Sequence, residues 1–114
     1  MDLKYKFEKY NYIVQSANDG STGIIKASAF LPDLIMVDYI MPEMDGIEVC
    51  RRIKKIPELK NTILILYTSE AYPNVIKEAI LAGAKDFIIK TAPFDKILEK
   101  VENALKTRTG NTNV

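Results

Sequence analysis

Asp38, Thr68 and Lys90 place a carboxylate, a hydroxyl and an ammonium at the ends of three separate apolar runs, with 30 residues from Asp38 to Thr68 and 52 from Asp38 to Lys90. Brought together, such groups suit phosphoryl transfer. A carboxylate oxygen attacks phosphorus, the ammonium neutralises phosphate oxygens as a point charge, and the hydroxyl hydrogen-bonds another oxygen. The chain contains no histidine. That removes imidazole acid/base chemistry, Ser-His and Cys-His nucleophile pairs and most zinc sites. A phosphoryl acceptor here must therefore be a carboxylate or a hydroxyl. Singly, Asp38 reads equally as a solvated turn acid, Thr68 as a hydroxyl satisfying backbone and Lys90 as a surface cation. Their recurrence at the ends of successive strands carries the argument.

The elements that must position these groups follow from the pattern of the chain. Leu34-Ile35-Met36-Val37 is an unbroken apolar run of strand length, as expected for a strand buried on both faces of a parallel sheet. Thr62 to Tyr67 and Phe87-Ile88-Ile89 read the same way, and Tyr12 to Ala17 is β-rich and predicts a further strand. Between them lie helical patterns: a short one within Met1 to Tyr10, then Ser21 to Phe30, Ile47 to Ile56, and one from Pro73 with a Val75, Ile76, Ala79, Ile80 stripe. Gly83 is the expected C-terminal cap of that last helix. Asn18-Asp19-Gly20 reads as a turn that doubles as a cap for the helix from Ser21, Asp45 and Asp95 stand where N-caps are expected, and a final helix carries Ile97, Leu98, Val101 and Leu105 on one face. Alternating strands and helices imply a parallel sheet with helices on both faces, and the carboxyl ends of its strands form the usual ligand edge.

With 114 residues the chain makes one domain with a single core. Sixteen basic against 15 acidic residues give a net charge of +1, which offers no basic excess for nucleic acid or an anionic membrane. No apolar run is long enough to span a membrane. The lone Cys50 cannot form an internal disulfide and suits a reducing cytoplasm; in its helical pattern it reads as a small core residue. Arg51, Arg52, Lys54 and Lys55 read as a solvated helix face.

At this point the sequence resembles the receiver domain of two-component response regulators, the type of the chemotaxis regulator. The marks are Asp38 followed by Met41-Pro42 and Met44-Asp45-Gly46, then Thr68-Ser69, then Leu81-Ala82-Gly83-Ala84-Lys85-Asp86-Phe87, then Lys90. The likeness extends from about Leu3 to Leu105. It implies a flavodoxin-like three-layer α/β/α fold whose parallel sheet has strand order 2-1-3-4-5 in the family's own count. It implies further that Asp38 accepts a phosphoryl group from a histidine kinase or phosphotransfer protein with Mg²⁺ assisting, that Thr68 moves toward that group, and that Lys90 binds it. Phe87 matches an aromatic switch residue, although simple edge-strand packing explains a Phe there equally well. Glu70 matches a position that tunes dephosphorylation, and the Ile40 backbone carbonyl a metal ligand. The output surface for a downstream protein would run from about Pro73 to Leu105. Such a domain is cytoplasmic and is no enzyme beyond self-phosphorylation from a phosphodonor and autodephosphorylation.

Two departures stand out. Receivers open with an apolar strand followed by an acidic pair that completes the metal site. Here the sequence starts within what resembles the first helix, so the reading is a receiver over 1–106, N-terminally truncated, with a disordered polar tail over 107–114. Asp38 is then the sole evident carboxylate ligand, which is too little for tight Mg²⁺ binding. The missing strand would have contributed about five buried side chains at roughly 1.5–3 kcal/mol each, comparable to a domain's whole net stability. Its absence admits three explanations: a start lying upstream, flanking strands closing into a four-stranded sheet, or a second copy filling the gap as a homodimer. The other departure is Thr91-Ala92, which separates Lys90 from Pro93 where the family puts Pro directly after the lysine, so the loop there is expected to take another shape. The missing acids favour an alternative, a pseudo-receiver that binds partners without being phosphorylated. A flavodoxin-like nucleotide binder is disfavoured, since no Gly-rich phosphate loop occurs.

Overall fold

A computed structural model describes residues 3–112, with side chains described through Thr107. Three parallel strands form one sheet in the order β1 (Leu34–Asp38), β2 (Ile63–Thr68), β3 (Asp86–Ile89). Leu34 lies opposite Ile63 and Asp38 opposite Tyr67, while Ile65 lies opposite Asp86 and Thr68 opposite Ile89. The helices are α1 (Leu3–Glu8), α2 (Gly20–Phe30), α3 (Gly46–Lys54), α4 (Pro73–Leu81) and α5 (Phe94–Thr112), with a 3₁₀ turn at Pro57–Leu59.

The two-residue period of the strands sorts the core into two layers. Val37, Leu64 and Leu66 pack with Ala27 of α2, Val49, Cys50 and Ile53 of α3 and Ala79 of α4. Ile63, Ile65 and Ile88 face the other way, onto Phe7 of α1 and Ile97, Val101 and Ala104 of α5. The result is three layers, α/β/α. Short as it is, α1 holds its place through Phe7, whose ring meets Phe94 at 5.1 Å and Tyr12 at 5.4 Å, both edge-on.

Local chemistry explains most of the element ends. The Asp19 carboxylate accepts the Thr22 N–H at 2.8 Å and the Asp45 carboxylate that of Glu48 at 2.9 Å, capping α2 and α3. The cap bond holds the Asp19 carboxyl below its ordinary range. α4 ends at Leu81, and Gly83 follows in left-handed geometry at φ +116°. A β-carbon on Gly83 would lie 2.6 Å from Cγ of Lys54, whose stem runs past the turn. The Lys54 ammonium donates to the carbonyls of Thr62 at 2.7 Å and Lys60 at 3.3 Å, joining the end of α3 to the approach to β2.

Four sequence expectations need correction. Tyr12 to Ala17 is not a strand; it runs as irregular chain with Ile13 84% exposed. A β-rich segment forms a strand only against a partner, and β1 pairs with β2 alone. The flanking segments therefore do not close into a four-stranded sheet. Ile80 lies outside the buried stripe of α4, 53% exposed, since Val75, Ile76, Ala79 and Ala82 supply the contact and Ile80 falls one step round the helix. Asp95 sits within the first turn of α5 instead of capping it, where its charge still suits the helix dipole. Finally, α5 continues to Thr112, past the end of its apolar stripe at Leu105; residues 113–114 lie outside the described residues. Once nucleated, a helix extends at little cost per residue, and the Thr107 hydroxyl bonds back to the Asn103 carbonyl at 3.0 Å.

Candidate functional site

The carboxyl edge of the sheet brings Asp38 and Lys90 into contact. The Lys90 ammonium donates to Asp38 Oδ2 at 2.8 Å, with about a third of each side chain exposed. Strand register explains the meeting. Asp38 shares the face of Met36, and Lys90 that of Ile88, so both lie on the α1/α5 side with Tyr67 of β2 between them. Lys90 crosses β2 above that ring, its Nζ 5.5 Å from the Tyr67 centroid. The other carboxylate oxygen, Oδ1, accepts the N–H of Ile40 at 3.1 Å. Both oxygens are thus held in place.

The loop after Asp38 fits that arrangement. Met44 N–H bonds to the Pro42 carbonyl at 2.8 Å, closing a tight turn with Glu43 at φ +68°. The Gly46 N–H then bonds to the Tyr39 carbonyl at 2.8 Å, and a β-carbon on Gly46 would clash with the Asp38 carbonyl oxygen. The Met-Asp-Gly triplet therefore has two separate duties: Asp45 caps α3, and Gly46 lets the helix start against the end of β1.

Thr68 closes the middle strand but turns its hydroxyl elsewhere. It is buried, and Oγ1 donates to the Glu70 carbonyl at 3.0 Å. One residue past Tyr67, it takes the opposite strand parity, that of Leu64 and Leu66 on the α2–α4 side. The Glu70 carboxylate accepts from the Tyr72 hydroxyl and pushes that exposed phenol above its usual range. Ile40 is 74% exposed, with its N–H committed to Asp38. Phe87 is half-buried on the α4 side of β3. After Lys90 the chain turns at once, Ala92 N–H bonding to the Ile89 carbonyl at 2.9 Å.

Among the described residues, no group of three or more His, Cys, Asp or Glu side chains could hold a metal ion. Asp38 supplies one carboxylate, already engaged on both oxygens, so the described residues do not by themselves fit a Mg²⁺ site. A shallow groove lined by Arg51, Lys54, Lys55, Glu78, Leu81 and Ala82 lies between the C-terminal ends of α3 and α4, at the far end of the sheet from Asp38.

The sequence matches the response regulator receiver domain family over residues 1–102. The chain belongs to this family. The receiver is 36% identical over 93 residues to the chemotaxis protein CheY of Bacillus subtilis, covering 82% of this chain and 76% of that protein. It is 27% identical to the phosphate regulon transcriptional regulatory protein PhoB of Rhizobium meliloti, with 91% of this chain matching but under half, 46%, of PhoB. Among solved structures it is similar to the Vibrio cholerae chemotaxis protein CheY4, with a TM-score of 0.85, 25% identity and coverage of 89% of this chain and 84% of that one. A receiver domain of a signal transduction histidine kinase from Syntrophus aciditrophicus is also similar, with a TM-score of 0.81, 32% identity and coverage of 92% and 80%. The flavodoxin-like α/β architecture is thus that of receivers. Receivers are phosphoacceptors in two-component signalling, generally bind Mg²⁺ at the phosphorylation site, interact with histidine kinases and output domains, and are generally not true enzymes. No described helix of this receiver is long and apolar enough to cross a membrane.

Sequence reasoning missed Tyr67 and Lys100. Tyr67 was legible in principle, since it precedes Thr68 by one residue and so takes the face that Asp38 and Lys90 share. Lys100 reads as one more polar residue on α5, and nothing local distinguishes it.

Proposed function

We propose that Asp38 is the phosphoacceptor of this receiver, taking its phosphoryl group from the phosphohistidine of a histidine kinase or phosphotransfer protein. The observation that carries this reading is the 2.8 Å contact of Lys90 Nζ with Asp38 Oδ2 at the carboxyl edge. In the transfer, an Asp38 carboxylate oxygen forms the new O–P bond as the N–P bond to the donor imidazole breaks, and the imidazole leaves with its electron pair and takes up a proton. Lys90 already lies beside the attacking group and shifts its donation to a phosphoryl oxygen, where charge accumulates. Thr68 contributes after leaving the Glu70 carbonyl for another phosphoryl oxygen. That movement reshapes the α4 side, and with it the output surface from about Pro73 to Leu105 that a downstream protein reads. Glu70 governs how readily water reaches the acyl phosphate. When bound, Mg²⁺ would neutralise phosphoryl charge, but no described residue beyond Asp38 and the Ile40 carbonyl is assigned to hold it. The setting is the cytoplasm.

The test is intact mass of the folded protein after incubation with acetyl phosphate in Mg²⁺-containing buffer, with Asp38→Asn alongside. One acid-labile phosphoryl adduct is expected on the parent and none on the variant. A folded parent without an adduct would overturn the proposal. Among the described residues no acidic cluster stands beside Asp38, which favours a second reading, a pseudo-receiver that binds its partner constitutively. Partner affinity would then be equal for the parent and Asp38→Asn.

A further inference from the structure

Lys100 reaches from α5 around the outer edge of β3 and makes three contacts there. Its ammonium donates to the Phe87 carbonyl at 2.7 Å, pairs with Asp86 Oδ1 at 3.4 Å and stands 4.5 Å from the centre of the Phe87 ring. Asp86 Oδ1 accepts the Phe87 N–H at 2.7 Å. Both backbone polar groups of Phe87, and its ring, are therefore engaged by one carboxylate and one ammonium. Asp86 points to the α5 side and Phe87 to the α4 side, so the lysine links the two faces of the sheet across its edge. On the α4 side Phe87 is the neighbour of Thr68: it lies opposite Leu66, while Thr68 lies opposite Ile89, and all four share that face. Cross-strand diagonal neighbours of this kind stand about 7–8 Å apart, within reach of an aromatic side chain.

We propose that Lys100 is a positioning residue that latches Phe87 in its resting orientation, so that the ring moves toward Thr68 only when its contact with the ammonium is released. The signalling half of this proposal rests on Asp38 being the phosphoacceptor. The resting orientation does not. A cation over an aromatic face at a partly exposed site is worth about 0.5–1 kcal/mol, a two- to fivefold bias between ring orientations. By linkage, removing the latch should raise the phosphorylated fraction at fixed phosphodonor by a similar factor.

The experiment compares the parent with Lys100→Met, which keeps the stem, and Lys100→Arg, which keeps the charge. Two quantities are read on each folded protein: the Phe87 χ1 populations by NMR without phosphodonor, and adduct level by intact mass with acetyl phosphate. Lys100→Met should raise the minor χ1 population and the adduct level two- to fivefold, and Lys100→Arg should restore both toward parent values. Circular dichroism checks that the variants fold. An unchanged χ1 distribution in Lys100→Met would overturn the latch, whatever the adduct does. A shifted distribution with no adduct on any of the proteins would uphold the latch and overturn the phosphoacceptor reading. Adduct on all three at one level despite shifted χ1 would overturn the coupling alone.

Discussion

Along the outer edge of β3, the N–H and C=O of Phe87 are taken up by the Asp86 carboxylate and the Lys100 ammonium. Along the outer edge of β1 the situation is different. Asp33 and Tyr39 bond across to β2, so the alternation of a parallel ladder turns the polar groups of Leu34, Met36 and Asp38 the other way, where no described strand lies. Composition follows the same division. β3 has an acid at its start and a lysine wrapped over it, the kind of charge with which proteins blunt an edge. β1 reads Leu-Ile-Met-Val before Asp38, with no lysine, proline or bulge, and three of those four residues are only half-buried. β3 is built as an edge. β1 has the composition of an interior strand in an edge position, and the acceptor acid stands at its end.

The largest expected effect is in hydrogen exchange. Amides of Leu64 and Leu66, on a strand shielded from both sides, should be protected at least about a thousandfold more than that of Met36, with Phe87 in between. Equal protection at Met36 and Phe87 would remove the distinction between the edges. Truncation should follow the same order at smaller scale. Ile65→Ala, at a fully buried site on β2, should cost about 2–5 kcal/mol in urea unfolding, and Met36→Ala on β1 less than half as much. Similar losses would mean that β1 is covered in solution.

The smallest expected effect concerns Cys50, which is sealed beneath β1 and β2, and whose thiol burial pushes up to about 11. An unfolded thiol titrates near 8.5, so above that pH the unfolded state loses its proton first. Stability should therefore fall as pH rises, by about 1 kcal/mol between pH 8.5 and 9.5, and Cys50→Ala should flatten the decline. A thiol that titrates near its ordinary value in the native protein would show water entering from the β1 side.

Much of this was legible in the sequence, for reasons that are local. The three apolar runs became β1, β2 and β3, Asp19 and Asp45 cap their helices, and Gly83 follows α4, because each depends on residues within a few positions of itself. Tyr12 to Ala17 failed because a strand depends on its neighbour as well as on its own residues. The site divides the same way. Asp38 and Lys90 meet as expected from their strand ends, but Thr68 faces Glu70, since one residue of strand parity decides which side of the sheet a hydroxyl takes. Lys100 was hidden because its partners are fixed by where α5 crosses β3, which no pattern along α5 records.

The stem of Lys54 lying across Gly83 constrains how this sequence can drift. A side chain at 83 has to tolerate left-handed backbone and also displace the lysine, whose ammonium would then leave the Thr62 and Lys60 carbonyls. Shortening the residue at 54 opens the space but abandons the same carbonyls. Positions 54 and 83 are therefore expected to vary as a pair across descendants of this chain, even though they sit at the opposite end of the sheet from Asp38.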